Sequence, residues 1–230
     1  MTLTNAQAII AGASGLVGDE LVHLLLNHDN ISKVYSLSRR ELPLHSKKLV
    51  QIVNPELRVT EWHDTNAQPA YGFICLGTTK KQAGSQHALE AVDLHLVKDV
   101  ARTMKIVGVR HLVVISSLFA NPYSPSHYLR TKGKMEQALS KMEFEHCIFV
   151  RPGPLKGDRA QPRADEKLVQ ETLAILHPLM LGPLKNLEPI PAELVARQMM
   201  SLAFSAARHE LPAVYRVSGR TLLDKPANTL

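Results

Sequence analysis

The stretch Ala8-Ile9-Ile10-Ala11-Gly12-Ala13-Ser14-Gly15-Leu16-Val17-Gly18 decides how the rest of this chain is read. A short apolar strand runs into three glycines spaced three apart, and an amphipathic run follows. Val17, Leu21, Leu24 and Leu25 fall at i, i+4, i+7 and i+8, which makes one apolar stripe on a helix over 16–27. In a strand-turn-helix each glycine has a mechanical purpose. Gly12 permits the tight turn, Gly15 lets a pyrophosphate approach the backbone, and Gly18 lets the helix pack on the strand. Backbone N–H groups from Ala13 and Ser14 through Leu16 and Val17 then face the phosphates. A plain βα turn would also account for the glycines, but a place in the very first βα unit favours a nucleotide.

Outward from this turn, short apolar runs alternate with longer amphipathic ones. Strands are expected at Ala8–Ala11, Lys33–Ser38, Arg58–Trp62, Phe73–Leu76, His111–Ser116 and His146–Arg151, and helices near 86–107 and 126–142. Runs apolar on both faces indicate buried parallel strands. The fold class is therefore α/β, a doubly wound, mostly parallel Rossmann sheet with helices on both faces. Past Arg151-Pro152 the composition changes. Seven prolines fall between 152 and 191 around a helix candidate at 165–176, and repeated proline forbids regular strands there. Residues 152–192 are read as a capping excursion on the substrate side of a single domain spanning 1–230. A helix over 192–207 and a last strand at Val214–Val217 complete the core.

Composition bounds the function. The 230 residues are 45% apolar and 21% charged, which excludes intrinsic disorder. Cys75 and Cys147 are too few for a disulfide framework or a zinc site and read as buried free thiols. The eleven histidines include no i, i+4 pair with an acidic partner, so no metal is expected. Neither a signal peptide nor a membrane-spanning stretch is visible, and the expected location is cytoplasmic. The 27 Lys+Arg against 21 Asp+Glu leave a charge of +6 without long basic runs, and aromatic residues are only 5%. This pattern argues against nucleic acid and for a small anionic ligand.

The second strand says which ligand. It ends Ser36-Leu37-Ser38-Arg39-Arg40, with two guanidiniums where an NAD-preferring site carries an acid. Arg forks onto phosphate and stacks on adenine, so Arg39 and Arg40 point to the 2′-phosphate of NADP(H). Tyr128 and Lys132 then lie one helical turn apart, just after a strand whose end presents Ser116 and Ser117 at the sheet's carboxyl edge. A phenol is a poor acid-base catalyst at neutral pH, but a nearby ammonium favours the phenolate. Tyr128 is the expected acid/base, Lys132 its charge partner and a holder of the ribose hydroxyls, and Ser117 a hydrogen bond to the substrate oxygen.

Taken together, the Gly12–Gly18 loop, Arg39-Arg40, Cys75-Leu76-Gly77-Thr78-Thr79, Ser116-Ser117, Tyr128 with Lys132, and Arg151-Pro152-Gly153-Pro154-Leu155 resemble an atypical short-chain dehydrogenase/reductase. The branch most similar is the NADPH-binding Tat-interactive oxidoreductase type with its bacterial relatives, marked here by Lys80-Lys81-Gln82-Ala83-Gly84 and Gly157-Asp158-Arg159. The resemblance implies that Leu76, Gly77 and Thr78 line the cofactor together with Ser116, that Leu155 lies at the nicotinamide end, and that Arg159 reaches cofactor or substrate. The expected function is hydride transfer to or from a small carbonyl or alcohol by a monomer or homodimer. A non-catalytic NADPH sensor binding a protein partner, and an isomerase or epimerase that retains its cofactor, are the alternatives.

Overall fold

The computed structural model describes residues 5–62, 68–78, 83–156, 189–219 and 222. Strand β1 (Ala6–Ala11) is followed by α1 (Leu16–Asn27), β2 (Ile31–Ser38), β3 (Leu49–Val53) and β4 (Tyr71–Ile74). Helix α2 (Gln86–Glu90) continues through a π-helical stretch (Ala91–Leu96) into α3 (Val97–Ile106). Then come β5 (His111–Ile115), α4 (His127–Ser140), β6 (His146–Arg151), the short β7 (Leu155–Lys156) and β8 (Ile190–Pro191), α5 (Ala192–Ala207) and β9 (Val214–Ser218).

The main sheet is seven-stranded and parallel in the order β3-β2-β1-β4-β5-β6-β9. Every strand connection must therefore cross a face, and the apolar stripes of the helices supply the cover. One core, with Ile10, Val34, Phe73, Val113 and Ile148, packs under α1 and α5. The other, with Ile9, Leu37, Ile74, Val114 and Phe149, packs under α3 and α4. The order of β1 and β4 places a topological switch point between them, and ligands of open α/β sheets bind outside the carboxyl ends at such a crevice.

One expected strand is wrong. Arg58–Trp62 is not a strand, and the third strand is Leu49–Val53, paired with β2 from Val34↔Leu49 to Ser38↔Val53. This edge strand is only partly buried, although its Leu-Val-Gln-Ile-Val run is apolar at every position but Gln51. After it the chain turns at Asn54, whose side chain accepts from the N–H groups of Glu56 and Arg58, and Leu57 takes φ +55°. Trp62 packs against Tyr35 with ring centroids 4.7 Å apart. The alternation in 58–62 thus reflects a chain lying against the sheet. The helix expected at 165–176 lies outside the described residues.

At the amino edge of the sheet, far from the switch point, β5 and β6 both begin with a buried histidine. His111 and His146 face each other with Nδ1 atoms 3.1 Å apart, and the other ring nitrogen of His146 lies 3.1 Å from the Leu211 carbonyl. Burial, with the nearby charges of His146, Arg110 and His209, lowers the His111 pKa to about 4. A histidine held neutral in the fold but free to protonate when unfolded contributes stability that is complete above about pH 6.5 and lost as pH falls toward 4. Urea unfolding at pH 7.0 and 5.0 is expected to show a lower midpoint at pH 5.0, and His111→Phe is expected to flatten that difference.

Candidate functional site

The carboxyl ends of β1, β4 and β5 meet the start of α4, and close backbone approaches set their spacing. Gly12 has φ +91°, a conformation that side chains rarely adopt, and a Cβ there would stand 2.7 Å from the Cys75 carbonyl carbon. Its own carbonyl accepts the N–H of Gly15 at 3.0 Å, and a Cβ on Gly18 would come within 2.1 Å of that same oxygen. The turn thus locks β1, the end of β4 and the first turn of α1 together. Ser14 is exposed, Gly15 half-buried, and Ala13, Leu16 and Val17 are buried beneath them. Arg39 and Arg40 are exposed just past β2, and neither forms an ion pair among the described residues. The Ser38 hydroxyl donates to the Arg40 carbonyl at 2.7 Å and fixes that turn.

Beyond β4 the chain passes Cys75 and Leu76, both half-buried, to the exposed Gly77 and then Thr78. Burial pushes the Cys75 thiol up to about 12. Beneath Gly77 lies a pair that the sequence did not announce. Lys132 Nζ sits 2.6 Å from Asp93 Oδ1, with the two side chains 2% and 0% exposed. The other Asp93 oxygen accepts the Thr78 N–H at 3.0 Å. Burial pulls the Lys132 pKa down, but Asp93, with Tyr128 and Glu136, outweighs it and holds the ammonium above its ordinary value. Tyr128, one turn earlier on α4, is half-buried.

A second buried acid secures the same helix. Glu136 Oε1 accepts from the Ser116 hydroxyl at 2.5 Å and from Arg151 Nε at 2.8 Å, while Arg216 Nε donates to Oε2 at 3.0 Å. Ser116 therefore gives its hydroxyl to Glu136. Ser117 is half-buried, and its hydroxyl donates to the Leu118 carbonyl at a long 3.3 Å. Leu155, half-buried in β7, packs on the core with α5. Arg159 lies outside the described residues.

Asp93 and Glu136 were missed although both leave a trace in the sequence. Leu89, Asp93, Val97 and Val100 share the buried side of one helical run, and Lys132, Met135, Glu136 and Leu139 share that of another. A charged residue inside an apolar stripe is the signal, because such a residue is rarely buried unless paired.

Among known proteins, a family model described as HIM1 matches residues 72–182. The mitochondrial protein FMP52 of Meyerozyma guilliermondii is 29% identical over 218 residues, covering 93% of this chain and 92% of its own. FMP52 of Coccidioides immitis is 31% identical over 176 residues, covering 71% of this chain and 72% of its own. The chain belongs to the FMP52 family. These relatives correct two expectations: the family is FMP52 and not the Tat-interactive branch, and FMP52 proteins are named as mitochondrial, which overturns a cytoplasmic location. Among solved structures, the Bordetella bronchiseptica enzyme WbmF in complex with NAD+ matches with a TM-score of 0.66 at 16% identity, covering 96% of this chain and 77% of that one. At that identity the likeness shows the fold, and the FMP52 chain shares the Rossmann architecture.

Helix α4 of this FMP52 relative is pressed against the loop that precedes it. A Cβ on Gly133 would stand 2.2 Å from both the Asn121 carbonyl carbon and the Pro122 nitrogen. Backbone cannot yield as a side chain tip does, so Gly133→Ala is expected to destabilise the fold by about 3 kcal/mol. Denaturant unfolding checks it, and Gly84→Ala, where a Cβ meets nothing within 4 Å but φ is +78°, should cost only about 1 kcal/mol.

Proposed function

We propose that this chain is an NADPH-binding oxidoreductase of the short-chain dehydrogenase/reductase type, with Tyr128 as the acid/base on a small carbonyl or alcohol. The observation that carries the reading is convergence. The glycine turn, the Leu76-Gly77-Thr78 strand end and the Tyr128/Lys132 face of α4 lie along one carboxyl edge, linked through the Gly12–Cys75 and Gly77–Lys132 approaches. The turn fits a dinucleotide, because Gly12 and Gly18 let strand, turn and helix close up on one another while Gly15 offers bare backbone where a pyrophosphate would rest. Arg39 and Arg40 would fork onto the 2′-phosphate, and Leu155 would lie toward the nicotinamide end.

When bound, the dinucleotide supplies or accepts hydride. The chain's own groups handle the proton. Tyr128 gives its O–H proton to a carbonyl oxygen or takes one from an alcohol, and Ser117 orients that oxygen by hydrogen bonding. Lys132 is kept as an ammonium one helical turn from that phenol. A second reading, a dinucleotide sensor without turnover, draws support from the same pair, since Asp93 already occupies the Lys132 ammonium at 2.6 Å.

Two measurements test this. Titration with NADPH and NADH is expected to show tighter binding of NADPH, and Arg39→Ala to weaken NADPH about tenfold while leaving NADH unchanged, as loss of one charge-assisted contact implies. Equal affinity for both cofactors, insensitive to Arg39→Ala, would remove the 2′-phosphate assignment. Tyr128→Phe is expected to retain NADPH binding but to lower turnover on small aldehydes and ketones by on the order of 10²–10⁴. Undiminished physiological activity in Tyr128→Phe would instead favour the sensor.

A further inference from the structure

The Asp93–Lys132 pair lies unusually close to the surface where a dinucleotide would rest. Gly77 is exposed, and a Cβ on it would stand only 3.4 Å from Asp93 Oδ1 and 3.5 Å from Lys132 Nζ. The Gly77 backbone, with no side chain of its own, therefore lies directly against the buried pair at the end of β4. Asp93 also sits in the π-helical stretch, where backbone hydrogen bonds span five residues instead of four, and its second oxygen accepts the Thr78 N–H on the same strand end. The carboxylate thus holds the ammonium from below and the Gly77-Thr78 segment from the side.

Lys132 alone would place a full positive charge under the ligand. The two forms of a nicotinamide dinucleotide differ by one charge at the ring, oxidised being cationic and reduced neutral, so an uncompensated ammonium would discriminate against the oxidised form. We propose that Asp93 is a positioning residue that acts through Lys132, cancelling its charge so that the site holds the oxidised dinucleotide as well as the reduced one. The inference rests on the dinucleotide-binding reading above. It makes Asp93 a determinant of which redox state of the cofactor is retained. Reversible turnover requires this property, because both forms must bind in one catalytic cycle.

The test is a charge cycle read by calorimetric titration of the full-length chain with NADP+ and NADPH separately. Asp93→Asn removes the compensating charge and is expected to weaken NADP+ relative to NADPH on the order of tenfold, as two like charges several ångströms apart in a partly screened site imply. Lys132→Gln leaves the carboxylate uncompensated and should move the ratio the other way. The double variant should restore the ratio of the unaltered protein. A purely structural role for Asp93 would weaken both forms equally, and that result, with the fold retained by circular dichroism, overturns the proposal. Should Asp93→Asn fail to fold, as removal of one partner of a buried pair can cause, Lys132→Gln decides: an unmoved ratio overturns the proposal. Failure of the unaltered chain to bind either form is a different result, which overturns the dinucleotide reading and this inference with it.

Discussion

The Gly12 carbonyl oxygen is the point around which the carboxyl edge of this sheet is built. It accepts the Gly15 N–H, it passes within van der Waals range of Gly18 on the first turn of α1, and its residue lies against the Cys75-Leu76 backbone at the end of β4. Three segments distant in the chain are spaced by backbone meeting backbone, with no side chain to adjust. Such contacts are stiff, since neither partner can adopt another rotamer. The crevice between β1 and β4 owes its shape to this, and the Gly77-Thr78 segment that follows inherits its position.

The opposite wall of the crevice is positioned by charge. Helix α4 offers Lys132 to Asp93 and Glu136 to Ser116, Arg151 and Arg216, so contacts to these two buried acids and the buried ammonium bind it to the π-helical stretch, to the end of β5, to β6 and to the edge strand β9. Buried ion pairs contribute little net stability compared with an apolar packing of the same volume, because desolvation offsets their attraction. They are directional, however, and a partner misplaced by an ångström leaves an uncompensated charge. What they supply here is registry: the Tyr128 face of α4 is set one turn from a fixed ammonium, and the far end of the same helix is held by Glu136.

Much of this was legible in the sequence, and the reasons differ by element. α1, α4 and α5 emerged from apolar stripes because helices that cover a sheet must bury one face, and the five inner strands emerged because a parallel sheet buries both. β3 was misplaced at Arg58–Trp62. The Leu49–Val53 run is the more apolar of the two, but Val59 and Trp62 also pack on the core from a loop and lend Arg58–Trp62 a strand-like alternation. The glycine turn, Arg39-Arg40 and the Tyr128/Lys132 spacing were visible as motifs. Asp93 and Glu136 were visible only as charges in the wrong stripe, and their partners could not be named, since Lys132 and Asp93 are 39 positions apart in the chain and meet only when two helices pack on one sheet face.

By itself, then, the sequence determined the periodicities, and through them a doubly wound parallel sheet with a bare glycine turn at its first crossover. It also marked Ser116 and Ser117 at the end of one strand and Tyr128 with Lys132 on the helix that follows. The tertiary structure alone decided how those groups are used: that the Ser116 hydroxyl serves Glu136 while that of Ser117 makes a long bond to Leu118, that Lys132 is matched by a carboxylate, and that Gly77 lies directly against that pair. The physical reason is range. Periodicity and turn chemistry act between neighbours in sequence, whereas the pairing of buried charges depends on which helices the sheet brings together.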